Sequence, residues 1–486
     1  MIMRVLFAAA ECEPFIKTGG LADVVGALPK ALVSQGIDTR VLLPAYGNLN
    51  LDWSSFKTIA TFDDIFGGAV TLRSGQADGL SLILLDAPHL FARTGNPYVR
   101  EDGTDWPDNA LRFAGLSWIA AHIAANGVDG WAPDILHVHD WHTGLAPVYL
   151  NTMKANAASV MTIHNIAYQG LFPGIMRTTL GLPKTGFADG HYNHYGQVSF
   201  LKAGITGAGR VTTVSPAYAD ELKGPNFGMG LDDVVIARGS DMVGILNGID
   251  ITAWDPATDT ALVAPYSAAK TSTRVKNKTA LLNEVGLPRG KDKPLLCVIS
   301  RMTPQKGLDV LLDALPGLIE RDVRLAVLGS GDRDLEEAYT RAATAHPKHI
   351  SVRIGYDAAL ARRIHAGADA IVVPSRFEPC GLTQLCGLRY GTIPLVARTG
   401  GLADTIIDAN PAALAANCAT GFQFHPTTVP ALLSTVDRML GLYADKKAWR
   451  RLVVRAMRHP VSWDESASAY ASLYDQAIQD RQANTA

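Results

Sequence analysis

Short, uninterrupted apolar runs return along this chain, separated by longer stretches with apolar residues at helical spacing. The first series is Arg4 to Ala10, Arg40 to Leu43, Leu82 to Leu85, Ile135 to His139, Val160 to His164 and Val211 to Val214. The second is Leu295 to Ser300, Arg324 to Leu328, Ile350 to Ile354, Ala370 to Val373 and Ile393 to Ala397. A strand that is apolar on both sides must be covered on both sides. The runs therefore read as parallel strands in βαβ units, an α/β chain. Between the series lies a turn-rich stretch, from Asn247-Gly248-Ile249-Asp250 through Trp254-Asp255-Pro256. A length of 486 residues is too great for one core. The spacing predicts one domain over 1–247, a second over 248–460 and a closing helix over 461–486. Ser462-Trp463-Asp464-Glu465 has capping-box spacing, and Ala467, Tyr470, Ala471 and Tyr474 form a stripe that needs a surface to cover. The polar tail after Arg481 is expected to fray.

Composition narrows the function classes. Net charge is −2, so no basic surplus exists to grip nucleic acid or an anionic membrane. Five cysteines (Cys12, Cys297, Cys380, Cys386, Cys418), with no CxxC pair, fit reduced thiols in the cytoplasm better than a disulfide framework. Arg4 with Val5 to Ala10 faintly resembles a signal sequence ahead of Cys12. The run is too short and Glu11 is wrong for processing, so it reads as a buried first strand. No run approaches the length of a membrane span.

The hexapeptide Thr-Gly-Gly-Leu-Ala-Asp occurs twice, at Thr18 to Asp23 after Lys17 and at Thr399 to Asp404 after Arg398. Each copy follows a strand and leads into a helix. Paired glycines there let amides converge at a helix N-terminus, a phosphate-friendly arrangement; tight turning alone is the alternative. After the first copy, Leu21, Val24, Val25 and Leu28 share a helix face, which Pro29 is expected to kink or end.

Three further constellations sit at strand ends, where open α/β sheets gather ligands. His137-Val138-His139-Asp140-Trp141-His142 invites a metal reading, but its Asp falls one residue early for HxHxDH. A hydrogen-bonding cluster for sugar hydroxyls and plain packing are the other two readings. His164 ends the next strand. In the second half, Arg301 and Lys306 share a strand-to-helix loop and suggest a diphosphate clamp. Pro374 to Thr383 places Glu378 in a turn-forming frame ahead of the amides of Gly381, Leu382 and Thr383, which could cradle a phosphate. Cys380 has no activating His nearby in sequence and reads as a bystander. Asp332-Arg333-Asp334 is a DxD that reads as a helix start, and Gly329-Ser330-Gly331 falls short of a dinucleotide fingerprint.

Lys17-Thr18-Gly19-Gly20-Leu21-Ala22-Asp23-Val24-Val25, His139-Asp140-Trp141, Asn247 to Asp250, Arg301 with Gln305-Lys306-Gly307, and Arg376 to Gln384 resemble bacterial glycogen synthases and plant starch synthases. The match runs in order from residue 4 to about residue 475. The resemblance implies a GT-B glycosyltransferase, with two Rossmann-like domains facing a deep cleft and a final helix crossing back to the first. It implies retaining transfer of glucose from ADP-glucose to the 4-hydroxyl at the non-reducing end of an α-1,4-glucan, with no metal or other cofactor.

Carried over by residue, Lys17 is expected at the diphosphate from the first domain, and Arg301 and Lys306 from the second. Asp140 and His164 are expected to face the glucosyl group, and Glu378 to bind the sugar. The amides of Gly381, Leu382 and Thr383 are expected to support phosphate. Gly19, Gly20, His139, Asn247 and Cys380 complete the expected substrate-binding set. The implied chemistry is front-face displacement: the leaving phosphate accepts the acceptor's proton, and a backbone carbonyl near His164 stabilises the oxocarbenium-like state. Many retaining GT-B enzymes carry a second Glu eight residues after the first; here that position is Cys386. The rivals are a metal-dependent hydrolase built on His137, His139 and His142, and a catalytically silent glucan-binding protein of the same fold. A phosphorylase would need a pyridoxal-binding Lys that is not evident in the sequence.

Overall fold

The computed structural model describes residues 2–290 and 293–485. They divide into two compact units. One runs to Asn247 and resumes at Trp463; the other is Gly248–Ser462.

The first unit is built on a nine-stranded sheet. From one edge its order is Met242–Gly244, Arg210–Thr213, Ala158–Ile163, Ile135–His139, Arg4–Ala8, Asp38–Pro44, Leu80–Asp86, Val70–Ala77 and Lys57–Phe62. The first seven are parallel, and the last two add an antiparallel hairpin. The central strand Arg4–Ala8 is buried from Val5 onward, as its apolar run requires. The opening helix, Gly20–Val33, is not ended by Pro29. It continues four residues past the proline, because Leu28 and Leu32 both bury in the core.

The closing helix, Asp464–Thr485, covers this same unit and extends past Arg481 rather than fraying there. Ala467, Tyr470, Leu473, Tyr474 and Ala477 pack into one cluster with Val24, Val25 and Leu28. Burying a side chain such as Leu473 is worth roughly 1.5–3 kcal/mol. Polar ties fix its position: Arg210 to Asp480 at 2.6 Å, and Arg481 to the Ala155 carbonyl at 2.6 Å.

The second unit holds a six-stranded, all-parallel sheet in the order Ile350–Ile354, Arg324–Gly329, Leu295–Ile299, Ala370–Val373, Ile393–Ala397 and Phe422–Phe424. Helices such as Leu308–Glu320 and Val429–Ala444 bury their apolar faces in its core. Asp332 caps the helix Arg333–Ala345, accepting from the amides of Asp334 (3.0 Å) and Leu335 (3.2 Å). The DxD is thus a helix start.

Every strand expected from the apolar runs is present. The elements without such a signal are short or half-exposed. Lys57–Phe62 and Val70–Ala77 alternate weakly at a sheet edge, and Met242–Gly244 and Phe422–Phe424 have three residues each.

Candidate active site

In the first unit, three neighbouring strands deliver their carboxyl-end loops side by side: Arg4–Ala8, Ile135–His139 and Ala158–Ile163. After the first strand, buried Glu11 takes the amide cradle of the glycine turn. Its Oε2 accepts from the Thr18 amide and from the Gly19 amide at 3.1 Å, while Oε1 accepts from the Tyr98 hydroxyl. The amides converge as the paired glycines suggest, but the anion between them is the chain's own carboxylate. Exposed Lys17 lies 2.7 Å from Asp23 and 3.5 Å from Glu13. Burial pushes the Asp23 carboxyl above its ordinary range, against the pull of Lys17.

The second copy of the hexapeptide is used differently, and the expectation of two equivalent phosphate turns is corrected. The Gly401 amide donates to the carbonyls of Glu378 (3.0 Å) and Pro379 (3.2 Å). A Cβ at Gly401 would overlap the Cys380 backbone. This glycine permits close packing behind the Glu378 loop.

The histidine cluster separates into distinct roles. His137 is fully buried, with Nδ1 2.8 Å from the Tyr474 hydroxyl and Nε2 2.6 Å from the Thr162 hydroxyl. Both ring nitrogens are committed within the core, which removes His137 from any metal set. His142 stacks on Tyr98 at 4.5 Å, and burial holds its imidazole down at about 3. His139 is also fully buried, so it offers no surface to a ligand; its Nδ1 lies 3.0 Å from His164 Nε2. His164 lies at the edge of burial, and desolvation pushes its imidazole down to about 3, keeping it neutral.

Asp140 fixes the backbone beside it. Its Oδ1 accepts from the amides of His164 (2.7 Å) and Asn165 (3.3 Å). It does so with φ at 53° and ψ at −169°, a region costly for any residue but glycine. Burial pushes its carboxyl up to about 7, despite the two amides that favour the charge. Asn247 ends the first segment of this unit, buried, with Oδ1 unpartnered among the described residues.

In the second unit, the loops after Leu295–Ile299 and Ala370–Val373 are brought together because those strands are neighbours. Lys306 Nζ lies 2.6 Å from Glu378 Oε2, and the Ser375 hydroxyl donates to the same oxygen at 3.0 Å. The loops are also stitched by backbone: the Arg376 amide donates to the Gln305 carbonyl at 2.9 Å. Gly307 is left-handed at φ 66°, and a Cβ there would overlap the Pro374 carbonyl oxygen, so only glycine allows this approach. Arg376 turns away to Asp309 at 2.7 Å. Exposed Arg301 makes no side-chain hydrogen bond or ion pair among the described residues. The amides of Gly381, Leu382 and Thr383, at the start of the helix Thr383–Tyr390, likewise find no acceptor among them. The second unit therefore presents a free guanidinium, a lysine–carboxylate pair and an open helix N-terminus. Cys380 is buried in the same loop, and Cys386 is buried in the core cluster.

Glu11, Tyr98 and Ser375 are not singled out by the sequence. Glu11 carried the only usable signal, a carboxylate directly after an apolar strand and before a glycine turn.

Residues 4–237 match the family described as the starch synthase catalytic domain, and residues 283–451 match glycosyl transferases group 1. The chain is 54% identical over 477 residues to a glycogen synthase of Roseobacter denitrificans, covering 98% of this chain and 100% of the relative. It is 51% identical over 473 residues to a glycogen synthase of Paracoccus denitrificans, covering 97% and 99%. Among solved structures it is similar to the catalytic domain of starch synthase IV from Arabidopsis thaliana bound to ADP and acarbose, with a TM-score of 0.86, 30% identity and coverage of 98% and 99%. Sucrose-phosphate synthase from Thermosynechococcus elongatus shares the fold, with a TM-score of 0.61 at 16% identity. The chain belongs to the family of bacterial glycogen synthases and plant starch synthases, retaining glycosyltransferases of the GT-B fold.

Proposed function

We propose that this enzyme transfers glucose from ADP-glucose to the non-reducing-end 4-hydroxyl of an α-1,4-glucan, in the cytoplasm, with retention at the anomeric carbon. The observation that carries the reading is the second unit's grouping of Arg301, the Lys306–Glu378 pair and the open amides of Gly381 to Thr383. A nucleoside diphosphate leaving group develops negative charge as its bond to C1 breaks. Preorganised cations and amide dipoles lower that barrier without reorganising. In this reading Arg301 and Lys306 hold the diphosphate, and the helix amides take a phosphate oxygen. Glu378, fixed by Lys306 and Ser375, binds the sugar. Lys17, on the turn that Gly19 and Gly20 form, serves the donor from the first unit, and Asn247 takes a donor hydroxyl. Asp140 and His164 act at the glucosyl group, Asp140 by holding the backbone on which a carbonyl faces C1. The leaving phosphate accepts the proton of the incoming hydroxyl, so no separate base is needed. The five cysteines are thiols rather than disulfides, which suits a reducing compartment. No helix among the described residues is long and apolar enough to cross a membrane.

Nucleotide release in the presence of glycogen, compared for ADP-glucose and UDP-glucose, tests the donor. Glucan-dependent release from ADP-glucose at a rate well above that from UDP-glucose is expected; the reverse order would overturn the donor assignment. Excess EDTA should leave most of the activity intact. Complete loss, restored by a divalent ion, would return weight to a metal-dependent reaction.

Cys380→Ser should retain turnover within a few-fold of the unmodified enzyme, because Gly401, Lys306 and Ser375 hold the loop and no activating His lies nearby in sequence. A folded but inactive Cys380→Ser enzyme with intact ADP binding would make the thiol a participant.

A further inference from the structure

We infer that His139 is a positioning residue that fixes the tautomer of His164, so that His164 presents an N–H donor at Nδ1 to an oxygen of the bound sugar. The inference rests on the proposed glucosyl transfer for its consequence, but its structural content stands on the two imidazoles alone.

The two rings share one short contact, His139 Nδ1 to His164 Nε2 at 3.0 Å. Burial holds both imidazoles neutral. A neutral imidazole has one N–H and one lone pair, so one ring donates across this contact and the other accepts. Two arrangements exist. In the first, His139 carries its proton on Nδ1 and donates, leaving His164 protonated on its own Nδ1. In the second, His139 carries its proton on Nε2, and His164 donates from Nε2.

His139 Nε2 decides between them. The ring is fully buried between the Phe7 face, stacked at 5.7 Å, and the His137 ring at 4.3 Å. Its Nε2 has no hydrogen-bond partner among the described residues. The second arrangement would strand an N–H in this apolar site, whereas the first strands only a lone pair. Orphaned buried N–H groups are the rarer and costlier fault. The first arrangement therefore holds, and His164 Nδ1 bears the proton. That nitrogen has no partner among the described residues, so the donor remains available. The backbone on either side of the pair is pinned, His139 by the Thr143 hydroxyl accepting from its amide at 2.7 Å and His164 by Asp140. His139 thus reaches the reaction only through His164.

Two measurements test this. The first is independent of catalysis: nitrogen-detected NMR of the full chain labelled at histidine, with the His164 resonances identified by their loss in His164→Gln. Protonated Nδ1 and bare Nε2 on His164 are expected. A proton on Nε2 would overturn the inference, whatever the reaction proves to be. The second is kinetic. His139→Leu, which removes the donor, should lower kcat by about 10- to 100-fold, the range for loss of an orienting partner behind a functional imidazole, with KM for glucan little changed. His139→Gln, whose amide can donate to His164 Nε2, should recover most of that loss. Equal activity of the two variants at matched thermal midpoints would reduce His139 to packing. If His139→Leu does not fold, the NMR result on the unmodified enzyme still decides. An enzyme that shows the expected tautomer but transfers no glucose would refute the proposed function and leave the inference standing.

Discussion

Lys306→Ala should lower turnover by on the order of 100-fold or more, the cost of about 3 kcal/mol for removing one preorganised charge contact in the transition state. Arg301→Ala should lose a similar factor, yet the two variants should differ in stability. Arg301 is exposed and unpaired among the described residues, so its loss should leave the melting temperature in place. Lys306 is mostly buried against Glu378 at 2.6 Å. Removing it strands a carboxylate, and breaking such a pair typically costs about 3–5 kcal/mol. Lys306→Met combined with Glu378→Gln should recover stability without recovering turnover. Glu378→Gln alone should be as damaging to kcat as Lys306→Ala. Steady-state kinetics beside thermal denaturation separate these outcomes. Turnover within a few-fold of the unmodified enzyme for Arg301→Ala, Lys306→Ala and Glu378→Gln would mean that the site lies elsewhere.

The second large effect belongs to Asp140. Asp140→Ala should cost about 100-fold in kcat, because the amides of His164 and Asn165 lose their acceptor and the backbone beside the sugar loosens. Asp140→Asn keeps an oxygen at that position and should retain more activity. Ionisation should set a pH limb. Burial raises the carboxyl from 3.8 to about 7. The ionised form accepts the two amides more strongly, so activity should rise with pH through about 7, and the limb should vanish in Asp140→Asn. Stability should run the other way. For a folded-state value raised above the unfolded one, the contribution is fully present below 3.8 and is lost as pH rises through about 7. The active ionisation state is thus the less stable one, in a backbone conformation that already costs roughly 1–3 kcal/mol. A kcat profile flat from pH 6 to 8 in the unmodified enzyme would contradict this role.

The strands were legible because parallel strands buried on both faces leave continuous apolar runs, as in Val5 to Ala8 and Ile393 to Ala397. The closing helix was legible from the stripe of Tyr470 and Tyr474, which finds its cover in the first unit. Lys306 and Glu378 could be singled out separately, since each follows a strand. Their direct pairing could not, because it depends on Leu295–Ile299 and Ala370–Val373 being sheet neighbours, and sequence does not order strands. The repeated hexapeptide misled for a related reason. Both copies make glycine turns, but what faces the turn lies outside the hexapeptide: nearby Glu11 in one case and the distant Glu378 loop in the other. The histidines were similarly opaque. His137 and His139 share a strand face by period, yet Tyr474, from the far end of the chain, makes His137 a core group.

The central claim is glucosyl transfer from ADP-glucose to an α-glucan with retained configuration. Its most direct test is to incubate the enzyme with ADP-glucose labelled with carbon-13 at C1 and a short maltooligosaccharide, and to read the labelled carbon by NMR. The expected result is ADP release matched by a new α-1,4-linked anomeric carbon at the non-reducing end. A β-linked product, label in free glucose alone, or an unchanged donor at saturating acceptor would contradict the account.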